Sequence, residues 1–320
     1  YGNGVFLSIN NGQSWSKTSL DEQWIFSLAV SGNNIFAGTY GNGIYRSTNN
    51  GLNWEQTGLN DESVNTIAVS GNNIFAGTDY YGTYLSTNNG QSWTQTGLNN
   101  QFVLSFIQTE NNIFAGIYVN GIYSSTNNGQ NWKQTSLNDK SVNSLAISGN
   151  NIFAGTVDSG VYLSTNNGQN WTQTSLNSKT VNSIAISGNN IFAGTSYYGV
   201  FLSTNNGQSW TSISFSLYIT SLAISGNNIF AGTLSNGVYL STNNGHNWNQ
   251  TALINQTVNC LALSGNNIFA GTDNHGVYLS TNNGQSWSQT ALNNQKVYSF
   301  ATSGNNIFAG TYENGIILST

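Results

Sequence analysis

The stretch STNNGQSW, residues 86–93, recurs in close copies along the whole chain. A second phrase, SGNNIFAGT, recurs at the same interval of 39 residues, shortened once to 38. A period of this length predicts stacked supersecondary units rather than one irregular globule. The copies of the first phrase begin at Ser8, Ser47, Ser86, Ser125, Ser164, Ser203, Ser241 and Ser280, and a ninth begins at Ser319.

Each repeat divides into four short segments that are rich in β-branched and aromatic residues and are separated by Gly and Asn turns. In residues 63–98 these segments are SVNTIAVS, NIFAGT, TYLST and SWTQT, which we name strands A, B, C and D. A single four-stranded meander cannot bury both of its faces, whereas eight meanders arranged radially can. We therefore expect an all-β fold, a single eight-bladed β-propeller with four antiparallel strands per blade.

The phase of the repeats predicts how the ring closes. The chain opens with a C and a D strand and ends with A, B and a further C strand, so the eighth blade must take its D strand from the N-terminus. We expect residues 1–320 to form one propeller, with residues 1–20 completing the last blade. Residues 312–320 repeat the phase of residues 1–9. That surplus strand is displaced at the seam, belongs to a longer array of repeats, or joins subunits.

Composition and charge exclude several function classes. Six Lys and Arg stand against eleven Asp and Glu, for a net charge of −5, whereas a nucleic-acid surface needs a basic patch. No apolar run approaches the ~18 residues of a membrane span, so we expect no membrane insertion. The single cysteine, Cys260, replaces a Ser of other repeats and is expected to be a small buried thiol.

The residue types of the first phrase suit a locked hairpin. Asn-Gly supplies the positive φ values of a tight turn, and the Ser and first Asn side chains can hydrogen-bond the local backbone. The Trp offers a large apolar face to the neighbouring blade. We therefore interpret the phrase as a structural staple.

The pattern S-x-N-x-G-x-S-W resembles the Asp-box, or BNR, repeat S-x-D-x-G-x-[ST]-W, and the resemblance covers all eight repeats. It implies a β-propeller in which the box is structural. Propellers of that kind include sialidases, xyloglucanases, sortilin-type receptors and photosystem II assembly factors, and the near-identical, weakly charged repeats are similar to those of bacterial cell-surface repeat proteins. Asn stands in place of the Asp at Asn10, Asn49, Asn88, Asn127, Asn166, Asn205, Asn243 and Asn282.

Differences between repeats collect in the B–C and D–A loops, whereas the A–B and C–D turns are nearly constant. In a meander propeller the B–C and D–A loops share one face, and loops on a rigid scaffold are where binding usually occurs. The candidate ligand-binding residues on these loops are Trp24, Tyr40, Asp79, Tyr80, Tyr81, Tyr118, Asp158, Tyr197, Tyr198, Asp273, His275 and Tyr312.

Aromatic side chains among carboxylates and amides suit sugar rings, and they suit a protein partner equally well. The tyrosines could instead pack on neighbouring loops and bind nothing. We place the strongest site at blades 1 and 2, where Trp24, Tyr40 and the pair Tyr80 and Tyr81 accompany several carboxylates. Blade 5, with the pair Tyr197 and Tyr198, is the second candidate.

An enzyme is disfavoured by the residues that are present. A sialidase needs several arginines, and the chain has only Arg46. Glycoside hydrolysis needs two carboxylates about 5–10 Å apart, and the best candidates, Asp79 and Asp273, belong to distant blades and are expected to be exposed. We identify no catalytic residue, no metal site and no cofactor motif.

The sequence therefore predicts a non-catalytic, secreted or cell-surface module. Its expected partner is a polysaccharide or a protein, with no role for nucleic acid. The first alternative is a structural subunit of an extracellular assembly that self-associates through the seam strands. The second alternative is a glycoside hydrolase.

Overall fold

The computed structural model describes residues 3–110, 112–213 and 216–312, and the regular structure within these ranges is entirely β. In chain order the strands are β1 (Val5–Ser8), β2 (Ser16–Lys17), β3 (Ile25–Ser31), β4 (Asn34–Thr39), β5 (Ile44–Ser47), β6 (Glu55–Gln56), β7 (Val64–Ser70), β8 (Asn73–Thr78), β9 (Thr83–Ser86), β10 (Thr94–Gln95), β11 (Val103–Gln108), β12 (Ile113–Ile117), β13 (Gly121–Ser125), β14 (Lys133–Gln134), β15 (Val142–Ser148), β16 (Asn151–Thr156), β17 (Gly160–Ser164), β18 (Thr172–Gln173), β19 (Val181–Ser187), β20 (Asn190–Thr195), β21 (Gly199–Ser203), β22 (Thr211–Ile213), β23 (Ile219–Ser225), β24 (Asn228–Thr233), β25 (Val238–Ser241), β26 (Asn249–Gln250), β27 (Val258–Ser264), β28 (Asn267–Thr272), β29 (Val277–Ser280), β30 (Ser288–Gln289), β31 (Lys296–Ser303) and β32 (Asn306–Tyr312).

These strands form eight antiparallel sheets of four strands, and each sheet is one blade. Blades 1 to 7 follow the chain from β3 to β30, four strands at a time, in the order A, B, C and D. Blade 8 has the order β2-β1-β32-β31, so the N-terminal strands β1 and β2 complete a sheet begun by the C-terminal strands. The predicted eight-bladed propeller with a shared closing blade is confirmed. The surplus C strand of residues 312–320 lies, apart from Tyr312, outside the described residues.

Strand A lines the ring axis, because the A strands of neighbouring blades contact one another, and strand B is the buried centre of each blade. The B-strand Phe is almost completely buried in every blade, at Phe36, Phe75, Phe114, Phe153, Phe192, Phe230, Phe269 and Phe308. Strand D is the outer edge and is shorter than predicted, with two residues in most blades, and the box Trp precedes it. Such short edge strands leave little backbone open to another chain.

The two repeated phrases meet between blades. The Gly of each C–D turn lies on the B-strand Phe of the preceding blade, and a Cβ placed on Gly129 would be 2.2 Å from Phe75 Cε1. Trp132, from the same turn, packs on the same cluster of Phe75, Leu85 and Ile113. Each turn therefore joins its own blade to the one before it.

Side-chain hydrogen bonds fix these turns, as predicted. In blade 3, Ser125 Oγ accepts a bond from the Gly129 N–H (2.9 Å) and donates one to Asn127 Oδ1 (2.9 Å). Asn127 Oδ1 also accepts the N–H of Asn131 at 2.9 Å. The same three bonds recur in every one of the eight turns.

The thiol of Cys260 points toward the next blade, where its Sγ lies 3.8 Å from the carbonyl oxygen of Val297. Burial of the sulfur raises the pKa of this thiol well above its ordinary value, while the residue as a whole is half-buried rather than fully buried as expected. Within the described ranges, the fold includes no helix of the length and apolarity that crossing a membrane would require.

Candidate functional site

The two sets of connections lie on opposite ends of the ring. On one face the B–C and D–A loops bond to each other, as where the backbone N–H of Gly43 donates to the carbonyl of Glu62 at 2.8 Å. On the other face the A–B and C–D turns meet, where the N–H of Asn11 donates to the carbonyl of Asn305 at 3.2 Å. We name the first the loop face and the second the turn face.

Exposed apolar side chains collect on the loop face. Of the twelve large hydrophobic side chains that are exposed in the described part of the chain, only Ile9 and Leu52 lie on the turn face. All seven exposed aromatic rings are tyrosines at loop-face positions. The ten loop-face residues are Tyr40, Tyr80, Tyr81, Tyr118, Val119, Tyr197, Tyr198, Leu234, Ile254 and Tyr298.

The largest aromatic group in the described part of the chain lies where blade 8 meets blade 1, and we name it the seam cluster: Trp24, Phe26, Tyr40, Tyr298 and Tyr312. The Trp24 ring lies 4.5 Å from that of Tyr312 and 5.0 Å from that of Tyr40, measured between centroids. Tyr298 and Tyr312 are 5.2 Å apart. Five rings from two blades therefore form one continuous surface at the mouth of the central channel.

Lys296 lies at the edge of the seam cluster and bridges it to blade 7. Its Nζ is 3.0 Å from Asp273 Oδ1, and it lies 5.3 Å and 5.4 Å from the ring centroids of Tyr298 and Tyr312. Burial alone would lower the pKa of Lys296, but hydrogen bonds to Asp273 and Tyr298 outweigh it and raise that pKa. The ammonium group is thus held between a carboxylate and two aromatic rings.

A second group joins blades 2 and 3. The Phe102 ring lies 5.8 Å from that of Tyr80 and 5.8 Å from that of Tyr118. Asp79, which precedes Tyr80, is half-buried and accepts a hydrogen bond from Asn65 Nδ2 at 2.7 Å. Tyr80 is the most exposed of the described aromatic side chains, with 71% of its surface accessible.

A third group joins blades 5 and 6 and repeats the same geometry. Tyr197 meets Tyr218 edge to face at 5.2 Å. The neighbouring Tyr198 carries the ammonium of Lys179 over its ring, 4.0 Å from the centroid. Both Tyr-Tyr pairs therefore place their first ring against an aromatic residue of the following blade.

The structure divides the residues predicted for blades 1 and 2 between two groups. Trp24 packs against both Tyr40 of its own blade and Tyr312 of blade 8, whereas Tyr80 packs with blade 3. Tyr81 adjoins Tyr80 and is itself exposed. The predicted single site shared by blades 1 and 2 is therefore two groups, one formed by blades 8 and 1 and the other by blades 2 and 3.

The remaining predicted residues are held by local contacts. Asp158 Oδ1 accepts a hydrogen bond from the hydroxyl of Thr180 at 2.6 Å, and the N–H of exposed His275 donates to Thr272 Oγ1 at 3.1 Å. Asp79 and Asp273 are half-buried, whereas we expected them to be exposed. The difference arises because Asn65 and Lys296 bind their carboxylates.

Sequence reasoning missed Phe26, Tyr298 and the two lysines over tyrosine rings. Four of the eight repeats have Asn directly after the first fully buried residue of strand A, and Asn182 Nδ2 donates to the carbonyl of Ile219 in the next blade at 2.8 Å. Phe26 and Tyr298 occupy that position in blades 1 and 8. The replacement of this Asn by an aromatic residue was the sequence signal that pointed to Phe26 and Tyr298.

Charge is unevenly distributed between the two faces. Of the ten acidic residues in the described ranges, only Glu55 and Glu110 lie away from the loop face, whereas Lys and Arg divide equally, three on that face and three elsewhere. The loop-face acids are Asp21, Glu22, Asp61, Glu62, Asp79, Asp139, Asp158 and Asp273, and the loop-face bases are Lys140, Lys179 and Lys296. The loop face is therefore the acidic face of the protein.

Two further features bear on other kinds of site. Among the described residues, no three His, Cys, Asp or Glu side chains gather as they would around a metal ion. On the turn face, a polar cavity of about 420 Å³ lies between blades 3 and 4, where Thr109 and Glu110 replace the usual Ser-Gly of the A–B turn. Most residues that line this cavity belong to the repeated phrases, so it differs less from the equivalent clefts of other blades than the loop-face groups differ from one another.

The sequence matches no protein-family model and none of the curated proteins. By structure, the chain is similar to the computationally designed Ika8 protein, with a TM-score of 0.77 and 14% identity over 92% of this chain and 95% of that one. It is also similar to Sqt1 of Saccharomyces cerevisiae, with a TM-score of 0.71 and 12% identity over 95% and 100% of the two chains.

A third similar structure is YCF48 from Cyanidioschyzon merolae, with a TM-score of 0.62 and 15% identity over 90% of this chain and 95% of that one. YCF48 has also been solved bound to D1 peptide. At these identities the likeness establishes the propeller fold and leaves the function to be argued from the residues themselves.

Proposed function

We propose that this protein is a non-catalytic binding module that recognises a polysaccharide or a protein partner through its loop face, outside the cell or at the cell surface. The observation that carries the proposal is the concentration of all seven exposed aromatic rings of the described chain on that one face. Contiguous exposed apolar surface on a soluble protein marks interaction sites, and Tyr and Trp dominate binding hot spots.

The scaffold supports this role. Loop-face side chains stand on blades whose cores and turns repeat almost unchanged, so the rings are presented on a rigid support with little ordering entropy to lose on binding. YCF48, whose fold is similar, has been solved with a bound peptide, so this architecture can hold a protein segment. The Asn-for-Asp turns support a relationship to Asp-box propellers, in which the turn is structural.

The positions and local contacts of the loop carboxylates speak against catalysis. Asp79, Asp158 and Asp273 belong to three different blades, and each already bonds a neighbouring side chain: Asn65, Thr180 and Lys296. A glycoside hydrolase needs one carboxylic acid and one carboxylate facing each other across the scissile bond. These local bonds support a structural role for the three carboxylates.

The test compares two sets of exposed apolar residues in ligand screens against glycan and peptide arrays. One variant carries Tyr40→Ser, Tyr118→Ser and Tyr197→Ser on the loop face. The control carries Ile9→Ser and Leu52→Ser on the turn face. We expect the loop-face variant to bind the array ligand about 5-fold to 30-fold more weakly than the parent protein does. This is the loss of affinity expected when one or two hot-spot residues are removed.

The turn-face control should bind as the parent does. Binding that survives the loop-face changes and is lost in the control would overturn the proposal. Thermal unfolding of both variants establishes that each remains folded.

A further inference from the structure

We propose that the Tyr80–Tyr81 pair and the three carboxylates beside it, Asp61, Glu62 and Asp79, form a site for a lysine or arginine side chain of a basic protein segment. We name these five residues the blade 2 site. The inference rests on the proposed function, since it names the ligand class of one part of the loop face.

Blade 5 contains the same tyrosine pair as blade 2 at the same repeat position. Tyr197 and Tyr198 precede Gly199, just as Tyr80 and Tyr81 precede Gly82. The first ring of each pair stands edge to face on the following blade, with interplanar angles of 84° for Tyr80 and 89° for Tyr197. The two pairs therefore share one local geometry.

In blade 5 the second ring is already occupied by a cation. The ammonium of Lys179 lies over the ring of Tyr198 at 4.0 Å, within the ~6 Å range of a cation–π interaction. The seam cluster repeats this arrangement with Lys296 between Asp273 and two tyrosine rings. The protein thus shows twice how its loop-face tyrosines hold an ammonium group.

In blade 2 the corresponding lysine is absent and its position is acidic. Glu62 stands where blade 5 has Lys179, and Asp61 and Asp79 stand where blade 5 has Ser178 and Ser196. The blade 2 site therefore carries three carboxylates and no basic residue of its own, against one Lys at the blade 5 positions.

The carboxylates are placed by specific contacts. Asn65 Nδ2 holds Asp79 at 2.7 Å, and the hydroxyl of Tyr84 lies 3.4 Å from Glu62 Oε1. Burial, together with the charges of Glu62 and Asp61, raises the pKa of Tyr84 to about 12. Asp61, the buried Glu62 and Tyr81 therefore lie around Tyr84, and Asp79 adjoins them, since its N–H donates to the carbonyl of Ser63 at 3.2 Å.

Charge and shape together select a basic protein segment. An aromatic face beside carboxylates attracts a cation through both the ring quadrupole and Coulomb attraction. The acidic loop face as a whole favours approach of a basic partner and disfavours acidic ones. A neutral sugar would use the rings and donate hydroxyl hydrogen bonds to the carboxylates, but it would gain no Coulomb attraction between opposite charges.

The experiment measures binding of a short fluorescein-labelled peptide of alternating lysine and glycine by fluorescence anisotropy at about 0.15 M salt, where only charges within ~8 Å interact strongly. The test variant carries Asp61→Ser, Glu62→Lys and Asp79→Ser, which gives blade 2 the residues of blade 5. The control carries Asp21→Ser, Glu22→Lys and Asp139→Ser, which makes the same change in net charge elsewhere on the loop face.

We expect the test variant to bind the peptide about tenfold more weakly, and the control less than about threefold more weakly, the scale of one cation–π contact with its counter-charges. Tyr81→Ala should weaken binding as well, whereas Tyr198→Ala should not, because Lys179 already covers that ring. If the triple variant does not fold, the single variant Asp79→Ser takes its place and is compared with Asp139→Ser for peptide binding.

Equal losses in the test variant and the control would overturn the inference, as would parent binding no tighter than that of the same peptide with acetylated lysines. A neutral oligosaccharide whose binding is lost with Tyr80→Ala and Tyr81→Ala, but is unchanged by the charge variants, would overturn it while leaving the proposed function standing. Failure of the proposed function itself would instead appear as ligand binding that no loop-face substitution weakens.

Discussion

The turn face and the loop face are built from the same repeats and differ in how much each repeat is allowed to vary. On the turn face every C–D turn has the same three side-chain hydrogen bonds, and every turn Gly lies on a Phe of the preceding blade. On the loop face, neighbouring blades present a carboxylate, a tyrosine pair or a lysine at equivalent positions. The difference teaches that repeat identity is kept in the turns that join blades, even at their exposed positions such as Thr126 and Asn128, and is lost in the loops of the opposite face.

The comparison is sharpest at glycine, and here we expect the largest effect. Gly129→Ala should destabilise the protein by about 3 kcal/mol or more, since the new methyl group would overlap Phe75 and the residue would keep a φ of +75°. Gly149→Ala is the matched control, because its φ is +59° and no atom lies within 4 Å of the added Cβ.

The control should cost only about 1 kcal/mol. Urea unfolding followed by tryptophan fluorescence measures both variants. Equal losses would mean that the contact between turn and Phe contributes nothing beyond backbone strain, and the two faces would then differ less than we infer.

A smaller effect is expected at Ser125, whose buried Oγ accepts the N–H of Gly129 at 2.9 Å. Ser125→Ala leaves that N–H without its partner and should cost about 1–3 kcal/mol of unfolding free energy. Thr126→Ala, at the adjacent exposed position, should change stability by less than about 0.5 kcal/mol. A Ser125 variant as stable as its Thr126 counterpart would show that the repeated bond is dispensable.

Restoring the carboxylate of the Asp-box pattern should have a stabilising effect. Asn127 Oδ1 accepts bonds from the Ser125 hydroxyl and the Asn131 N–H, and a carboxylate accepts such bonds more strongly. We expect Asn127→Asp to stabilise the protein by about 0.5–1 kcal/mol at neutral pH. Asn128→Asp makes the same change in charge on an exposed side chain and should be neutral, so thermal unfolding that ranks the two variants equally would contradict the argument.

The smallest effect is expected on the loop face, at Glu62, whose pKa is raised by burial and by the charge of Asp61. A carboxyl group with a raised folded-state pKa ionises more readily in the unfolded chain, so its contribution to stability is present at low pH and is lost as pH rises through the folded pKa. Glu62→Gln should therefore stabilise the protein at pH 7 and make little difference below about pH 4, the range of an unfolded Glu. Unfolding curves at both pH values test this, and a gain that is equal at both would remove the electrostatic explanation.

The sequence was sufficient to predict the number of blades, the closing blade and the two faces, because each follows from the period and the turn residues. It did not reveal which aromatic residues meet, since that depends on side-chain direction across blade boundaries. A bulge near the start of every A strand sets that direction near the channel mouth. Phe26 lies in the bulge between Ile25 and Ser27, and Tyr298 lies in the bulge between Val297 and Ser299. The lysines over tyrosine rings were missed for the same reason: Lys179 lies in a D–A loop and Tyr198 in a B–C loop, and only their side-chain directions bring them together.

The closing blade has a consequence for how the chain folds. Thr311 Oγ1 donates to the carbonyl of Gly4 at 2.9 Å, a contact between residues 307 positions apart, whereas the equivalent bond from Thr39 to Gly43 spans four. Loop-closure entropy makes the long connection about 4 kcal/mol harder to form than the short one. Closure of the ring is therefore expected to be the slow, final step of folding, and until it occurs the edge of β32 is open to β1 of another molecule. Refolding yield should thus fall with protein concentration even though the finished ring has no open inner edge at that seam.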